Sequence, residues 1–109
     1  MLKHKNLYQS ILFDLDGTIT DSGEGITNSI RYALKHFSVK TSNSELKAFI
    51  GPPLKKSFRD IFKFSEPEAL KAVELYREYY SAKGIYENRL YPDITYLLQT
   101  LKSFNINLY

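Results

Sequence analysis

The sequence predicts an α/β fold in which one short strand is followed by four or five helices and then by a second strand. The segment Tyr8–Phe13 ends in apolar residues and stops at an Asp-Leu-Asp-Gly sequence, as a buried strand does when it enters a loop. Helical periodicity then runs from Asp21 to Ser103, and Ile106–Tyr109 alternates as a strand does. Strands separated by helices favour a parallel pairing.

Length and composition exclude several classes of protein. A chain of 109 residues forms one domain, and 43 % hydrophobic with 25 % charged residues is ordinary globular composition. The absence of Cys excludes disulfide frameworks, thiol nucleophiles and Cys-based metal sites. No apolar run approaches the ~20 residues of a membrane span, and Met1–Asn6 shows no secretory signal. We therefore expect a cytoplasmic protein without a membrane partner.

The positive charge does not indicate a nucleic-acid partner. The net charge is +3, but the 15 Lys and Arg residues are spread along the chain and Lys55-Lys56 is the only adjacent pair. A nucleic-acid interface normally needs clustered basic residues, so we expect no nucleic-acid partner.

The first helix is predicted after Asp21 and Ser22, either of which can cap it through a side-chain oxygen. Its inward face carries apolar residues at helical spacing, namely Ile26, Ile30, Ala33, Leu34 and Phe37.

Capping signals place the starts of the later helices. Ser42 with Glu45 forms a capping box for a helix over 45–50, and Ser65 with Glu68 forms another for a long helix that Gly84 is expected to stop. Between them, apolar spacing over 54–62 predicts a short helix. A last helix opens at 91–93, and Asn105 is expected to end it in the left-handed conformation.

The strongest chemical signal is the segment Phe13–Ser22, which reads Phe-Asp-Leu-Asp-Gly-Thr-Ile-Thr-Asp-Ser. Asp14 and Asp16 follow a buried strand, where open α/β sheets bind their ligands. An Asp carboxylate can attack a phosphoryl group, and paired carboxylates beside a phosphate favour Mg²⁺. Two alternatives for an Asp-x-Asp triplet are a solvated loop and a Mn²⁺ sugar-nucleotide site. An EF-hand is excluded because Ile19 and Gly25 occupy the positions that require Gly and Glu.

Phe13–Ser22 resembles motif I of the haloacid dehalogenase superfamily, whose phosphatases read Asp-x-Asp-Gly-Thr-Leu-x-Asp-Ser after a hydrophobic strand. Phe49–Leu54 and Tyr76–Tyr80, with Gly84–Pro92, resemble the helical cap of phosphoglycolate-phosphatase-like members. The resemblance implies a Rossmann-like core, incomplete in this chain, with an inserted α-helical cap. The first core strand and motif I would span residues 1–22, the cap 23–90, and the return helix with the start of a second core strand 91–109.

The resemblance also implies roles for the motif residues. Asp14 matches the nucleophile and a Mg²⁺ ligand, and Asp16 matches the general acid/base, with its backbone carbonyl as a second Mg²⁺ ligand. The backbone amides of Leu15 and Asp16 match donors to the phosphoryl group, and Gly17 and Thr18 complete the substrate-binding loop. Thr18 matches a residue that positions the Asp16 side chain.

These matches imply a Mg²⁺-dependent phosphatase that hydrolyses a small phosphorylated metabolite, such as phosphoglycolate or a nucleoside monophosphate, through an aspartyl-phosphate. Gly51–Pro53 is a candidate for substrate contact. The family's later motifs, a Ser or Thr, a Lys and further Asp residues, would fall after Tyr109. We therefore expect the chain to be the N-terminal portion of such an enzyme and to be inactive alone. The alternative is a non-catalytic module that binds metal, phosphate or a partner chain; the oligomeric state stays open.

Overall fold

The structure, a computed structural model, describes residues 7–109, so the prediction about a signal in Met1–Asn6 lies outside the described residues. The chain divides into two compact units. The first combines the residues up to 21 with residues 89–109, and the second comprises residues 22–88. Among residues 7–109, no helix has the length and apolar character needed to cross a membrane.

A parallel pair of strands lies in the first unit. Strand β1 (Ser10–Ile11) pairs with β4 (Asn107–Leu108). The ladder continues beyond β1, because the Phe13 amide donates to the Tyr109 carbonyl at 2.8 Å. The predicted parallel pairing is confirmed, although β1 is much shorter than the segment from which it was predicted.

An antiparallel pair in the same unit was not predicted. Strand β2 (Thr20–Asp21) pairs with β3 (Arg89–Leu90), and Thr20 lies opposite Leu90. Each strand has only two residues, too few for an alternation of apolar and polar side chains to be recognised.

Helix α5 (Ile94–Ser103) connects β3 to β4 in the chain. It follows Asp93, whose φ of 65° is left-handed, and Asn105 after it has a φ of 58°. The predicted left-handed Asn105 is confirmed. No residue of α5 is buried, so the first unit has little core of its own.

The second unit is helical. Its elements are α1 (Gly23–His36), α2 (Asn43–Ala48), α3 (Leu54–Phe62), α4 (Glu66–Ala82) and a 3₁₀ turn (Gly84–Tyr86). Both predicted capping boxes are present. At α4, for example, the Glu68 amide donates to Ser65 Oγ at 3.3 Å and the Ser65 amide donates to Glu68 Oε1 at 2.9 Å. Helix α2 begins and ends two residues earlier than the predicted range of 45–50.

The side-chain cap predicted for α1 is absent at Ser22. Ser22 is the N-cap residue, but its side chain makes no capping hydrogen bond. Its ψ is 4°, whereas Ser42 and Ser65, which do cap, have extended ψ values of 162° and 167°. An extended N-cap backbone is what directs the hydroxyl at the first free amides of the helix.

Gly84 was predicted to stop α4, and the helix does end just before it, but Gly84 is not among the glycines with a positive φ. Helix α4 already ends at Ala82, and Lys83 follows it with a φ of −133°. Gly84 instead takes part in a close backbone contact with α1: a Cβ added to Gly25 would lie 2.1 Å from the Gly84 carbonyl oxygen, and a Cβ added to Gly84 would lie 3.1 Å from the Gly25 carbonyl oxygen. Two backbones therefore meet here without side chains between them.

The hydrophobic core lies in the helical unit. Phe58 is fully buried, and its ring centroid lies 4.9 Å from that of Phe49 and 5.9 Å from that of Phe64. The other buried hydrophobic residues among 7–109 are Ile30, Ala33, Leu34, Leu46, Ala69, Ala72, Val73 and Tyr76. All of them belong to residues 22–88, so the interior apolar packing is concentrated in the helices.

Tyr76 should make stability depend on pH in the alkaline range. Burial raises the pKa of Tyr76 from 10.0 to about 12, and its ring stacks on Tyr80 at 5.7 Å. The folded state thus favours the neutral phenol. The contribution of Tyr76 to the free energy of unfolding is therefore fully present below pH 10 and is lost as the pH rises through about 12. Urea unfolding measured across this pH window should show that the free energy of unfolding falls more steeply with pH for the wild type than for Tyr76→Phe. Tyr96→Phe, at an exposed site, is the control; identical curves for all three proteins would contradict the prediction.

Candidate active site

The two motif carboxylates lie directly after the parallel ladder. The last ladder bond joins Phe13 to Tyr109, so Asp14 is the first residue beyond this ladder and lies three residues after the end of β1. Asp14 and Asp16 are both exposed, and so is Leu15 between them.

A tight turn holds the motif loop closed. The Leu15 carbonyl is within bonding distance of the amides of Thr18, Ile19 and Thr20, at 3.2, 3.0 and 3.1 Å. The Gly17 amide donates to the Thr20 carbonyl at 2.8 Å, and Gly17 has a φ of 79°. Glycine adopts this backbone conformation without the steric cost of a Cβ. The turn fixes the loop that carries both carboxylates.

Asp14 already uses one of the predicted phosphate donors. Its Oδ1 accepts a hydrogen bond from the Leu15 amide at 3.0 Å. A phosphoryl group bound by that amide would therefore have to replace the Asp14 carboxylate oxygen. The predicted role of the Leu15 and Asp16 amides stays a prediction.

The hydroxyl that reaches Asp16 belongs to Thr20, whereas the resemblance implied Thr18. Thr20 Oγ1 lies 3.5 Å from Asp16 Oδ1 and 3.3 Å from the Leu15 carbonyl oxygen. The physical reason is the turn at Gly17, which brings residue 20 back beside residue 16 in an isolated bridge. Thr20 is thus a further candidate site residue that the sequence reasoning missed; its position four residues after Asp16, across a glycine turn, was the available signal.

The donor set fits part of a magnesium site. Asp14 would offer a carboxylate oxygen and Asp16 its backbone carbonyl oxygen, whereas among residues 7–109 no group of three or more His, Cys, Asp or Glu side chains could hold a metal. Mg²⁺ is commonly bound through one or two carboxylates, with waters and substrate phosphate completing its shell. The motif loop can therefore supply two of the protein ligands of such a site.

The predicted contact loop Gly51–Pro53 belongs to the helical unit. Gly51 has a φ of 112°, and Pro53 is the N-cap residue of α3. All three residues are exposed. Their contact with a substrate stays a prediction.

Comparisons with known proteins agree on the family. The family model for haloacid dehalogenase-like hydrolases matches residues 11–109. A 5'-nucleotidase from Pseudomonas aeruginosa is 44 % identical over 103 residues, which cover 94 % of this chain and 47 % of that protein.

Solved structures give the same result. A Clostridium difficile protein of known crystal structure is 46 % identical in sequence to this chain. The two structures superpose with a TM-score of 0.88, and the match covers 95 % of this chain and 48 % of that one. A haloacid dehalogenase-like hydrolase from Streptococcus pneumoniae is 43 % identical with a TM-score of 0.79, covering 94 % of this chain and 48 % of that one. This chain thus spans about half the length of these relatives.

The predicted fold class, an incomplete α/β core with additional helices, is confirmed by these matches. Because the family model covers nearly all of the residues, the chain belongs to the haloacid dehalogenase-like hydrolases.

Proposed function

We propose that the motif loop supplies the nucleophile and the general acid/base of a Mg²⁺-dependent phosphatase that acts on small phosphate monoesters. The observation that carries this proposal is the position of Asp14 and Asp16, both exposed on a loop fixed by a tight turn at the carboxyl end of a parallel strand. Family membership supports it, as does the similarity to a 5'-nucleotidase.

The proposed reaction has two steps. In the first, a carboxylate oxygen of Asp14 attacks phosphorus, the ester bond breaks, and Asp16 gives its proton to the departing alkoxide. In the second, Asp16 takes a proton from water, whose oxygen attacks the aspartyl-phosphate; inorganic phosphate leaves and the Asp14 carboxylate is restored. Mg²⁺, held by the Asp14 carboxylate and the Asp16 carbonyl, would supply positive charge against the phosphate. Thr20, at 3.5 Å from Asp16 Oδ1, positions the acid/base.

We propose that residues 7–109 do not by themselves provide every group that this reaction needs. Phosphoryl transfer depends mainly on positioning and on electrostatic stabilisation of the phosphate charge. The described motif loop offers two carboxylates, without a third acidic or His side chain to complete a metal cluster among residues 7–109. We propose that the remaining groups come from the half of the relatives that this chain does not match, and that the substrate is a cytoplasmic phosphorylated metabolite such as phosphoglycolate or a nucleoside monophosphate.

The test joins this chain to the unmatched half of the Pseudomonas aeruginosa 5'-nucleotidase. The fusion should hydrolyse p-nitrophenyl phosphate when Mg²⁺ is present, and Asp14→Asn should reduce turnover to background because an amide is a far poorer nucleophile. Asp60→Asn, which removes an exposed carboxylate paired with Lys56, is the matched control and should keep full turnover. The 109-residue chain alone should show none.

Three results would count against the proposal. Turnover in Asp14→Asn would contradict the nucleophile assignment, and turnover by the chain alone would contradict its dependence on further groups. A folded fusion that binds Mg²⁺ and phosphate without turning over substrate would favour the alternative of a non-catalytic binding module.

A further inference from the structure

A cavity of about 510 Å³ opens beside α1 within the helical unit. Its volume lies in the range of roughly 300–1,000 Å³ that is typical of small-molecule sites. Helix α1 contributes one wall, Tyr79 of α4 contributes to another, and Val39 and Thr41 come from the segment that follows α1. None of its lining residues belongs to the motif segment Phe13–Ser22.

The charged groups in the cavity lining are both positive. Arg31 and Lys35 are one helical turn apart on α1, so their side chains share a face. Arg31 is oriented by neutral partners, because Nη1 donates to Asn28 Oδ1 at 3.3 Å and Nη2 donates to Asn43 Oδ1 at 3.5 Å. These amides hold the guanidinium without neutralising it, and it keeps further donors for an anion.

The cavity also presents aromatic surface. The rings of Tyr32 and Tyr79 lie 5.4 Å apart, tilted by 37°. The Tyr32 hydroxyl donates to Glu78 Oε1 at 2.9 Å, and this bond raises the pKa of Tyr32. A hydrogen bond to Glu87 likewise raises the pKa of Tyr79. Both hydroxyls therefore keep their protons and donate them to carboxylates.

We propose that this cavity binds a phosphate monoester that carries a flat ring. The phosphate would meet Arg31 and Lys35, where the guanidinium fork matches two phosphate oxygens. The ring would pack against Tyr32 and Tyr79, since aromatic faces favour offset or tilted partners. No lining residue belongs to the motif segment Phe13–Ser22, so no group of that segment lines the cavity to hydrolyse the bound ligand.

Isothermal titration of the 109-residue chain with AMP, in the presence of EDTA, tests the site. We expect saturable binding, which Arg31→Gln weakens about tenfold or more because a charge-assisted hydrogen bond is lost. Lys35→Gln should weaken it less. Lys71→Gln, at a position paired with Glu74 on α4, is the matched control and should leave the affinity unchanged. Adenosine and inorganic phosphate should each bind more than tenfold more weakly than AMP.

Several outcomes would overturn the proposal. They are a lack of saturable AMP binding, an affinity unchanged by both Arg31→Gln and Lys35→Gln, and a competitor lacking the ring or the phosphate that binds as well as AMP. Loss of AMP binding in Asp14→Asn, with Arg31→Gln unaffected, would place the nucleotide at the motif loop instead. Because the titration excludes metal and measures no turnover, its result is independent of the proposed phosphatase activity.

Discussion

Gly25→Ala should destabilise the helical unit by about 3 kcal/mol or more, the upper end of what overpacking costs. The new methyl carbon would lie 2.1 Å from the Gly84 carbonyl oxygen and 3.0 Å from its carbonyl carbon. Both atoms are backbone, so no rotamer change can make room. Relief requires that α1 separates from the 3₁₀ turn, which would also disturb the Ser29 hydroxyl bonded to the Gly25 carbonyl at 2.6 Å.

Two companion substitutions make this prediction specific. A Cβ on Gly84 would meet two side-chain atoms, Ser29 Oγ at 2.8 Å and Tyr80 Cδ2 at 2.9 Å, and its one backbone neighbour, the Gly25 carbonyl oxygen, would lie farther away at 3.1 Å. Gly84→Ala should therefore cost less than Gly25→Ala. Ser81→Ala, at an exposed position of α4, should be nearly neutral. Urea unfolding followed by circular dichroism gives the order, and equal midpoints for Gly25→Ala and Ser81→Ala would refute the backbone contact.

Phe58→Ala should cost about 3–5 kcal/mol, the range measured for large aromatic side chains removed from cores. Among residues 7–109, Phe58 is the largest fully buried side chain, and its ring is near-parallel to that of Phe64, with an interplanar angle of 3°. Phe49 meets it edge-on at 66°. Removing the ring would leave a cavity whose walls are themselves rigid aromatic rings, which limits how far the site can collapse.

Phe104→Ala is the matched control for Phe58→Ala. Phe104 follows α5 and is 52 % exposed, so its removal should cost under about 1 kcal/mol. Denaturant unfolding of both variants measures the difference. If the two variants lost the same stability, the core would not be where the burial of Phe58 places it.

Local signals were well predicted from sequence because they depend on neighbouring residues. The capping boxes at Ser42 and Ser65 each need only a hydroxyl and a Glu three residues later, and both are present. Asn105 has its left-handed φ for a similarly local reason. The parallel pairing of β1 with β4 could also be predicted, because the chain ordering of strands and helices favours it.

Features that depend on distant residues could not be predicted in this way. The pairing of Thr20 with Leu90 joins residues far apart in the chain, and neither two-residue strand has a pattern of its own. Gly84 was recognised as a helix-stop residue, but its contact with Gly25 requires knowledge of which helices are adjacent. At the site, the motif fixed the two carboxylates, whereas the identity of the hydroxyl beside Asp16 depended on the fold of the turn.

The pairing of β2 with β3 bears on whether the helical unit can be altered in length or replaced. The polypeptide leaves for the helical unit at Asp21 and returns at Arg89, and these two residues lie side by side in the ladder. An insertion whose two ends are adjacent can be lengthened, shortened or exchanged without pulling on the flanking chain. The helical unit also carries its own buried interior. It is therefore suited to being exchanged as a whole while the turn that presents Asp14 and Asp16 stays as it is.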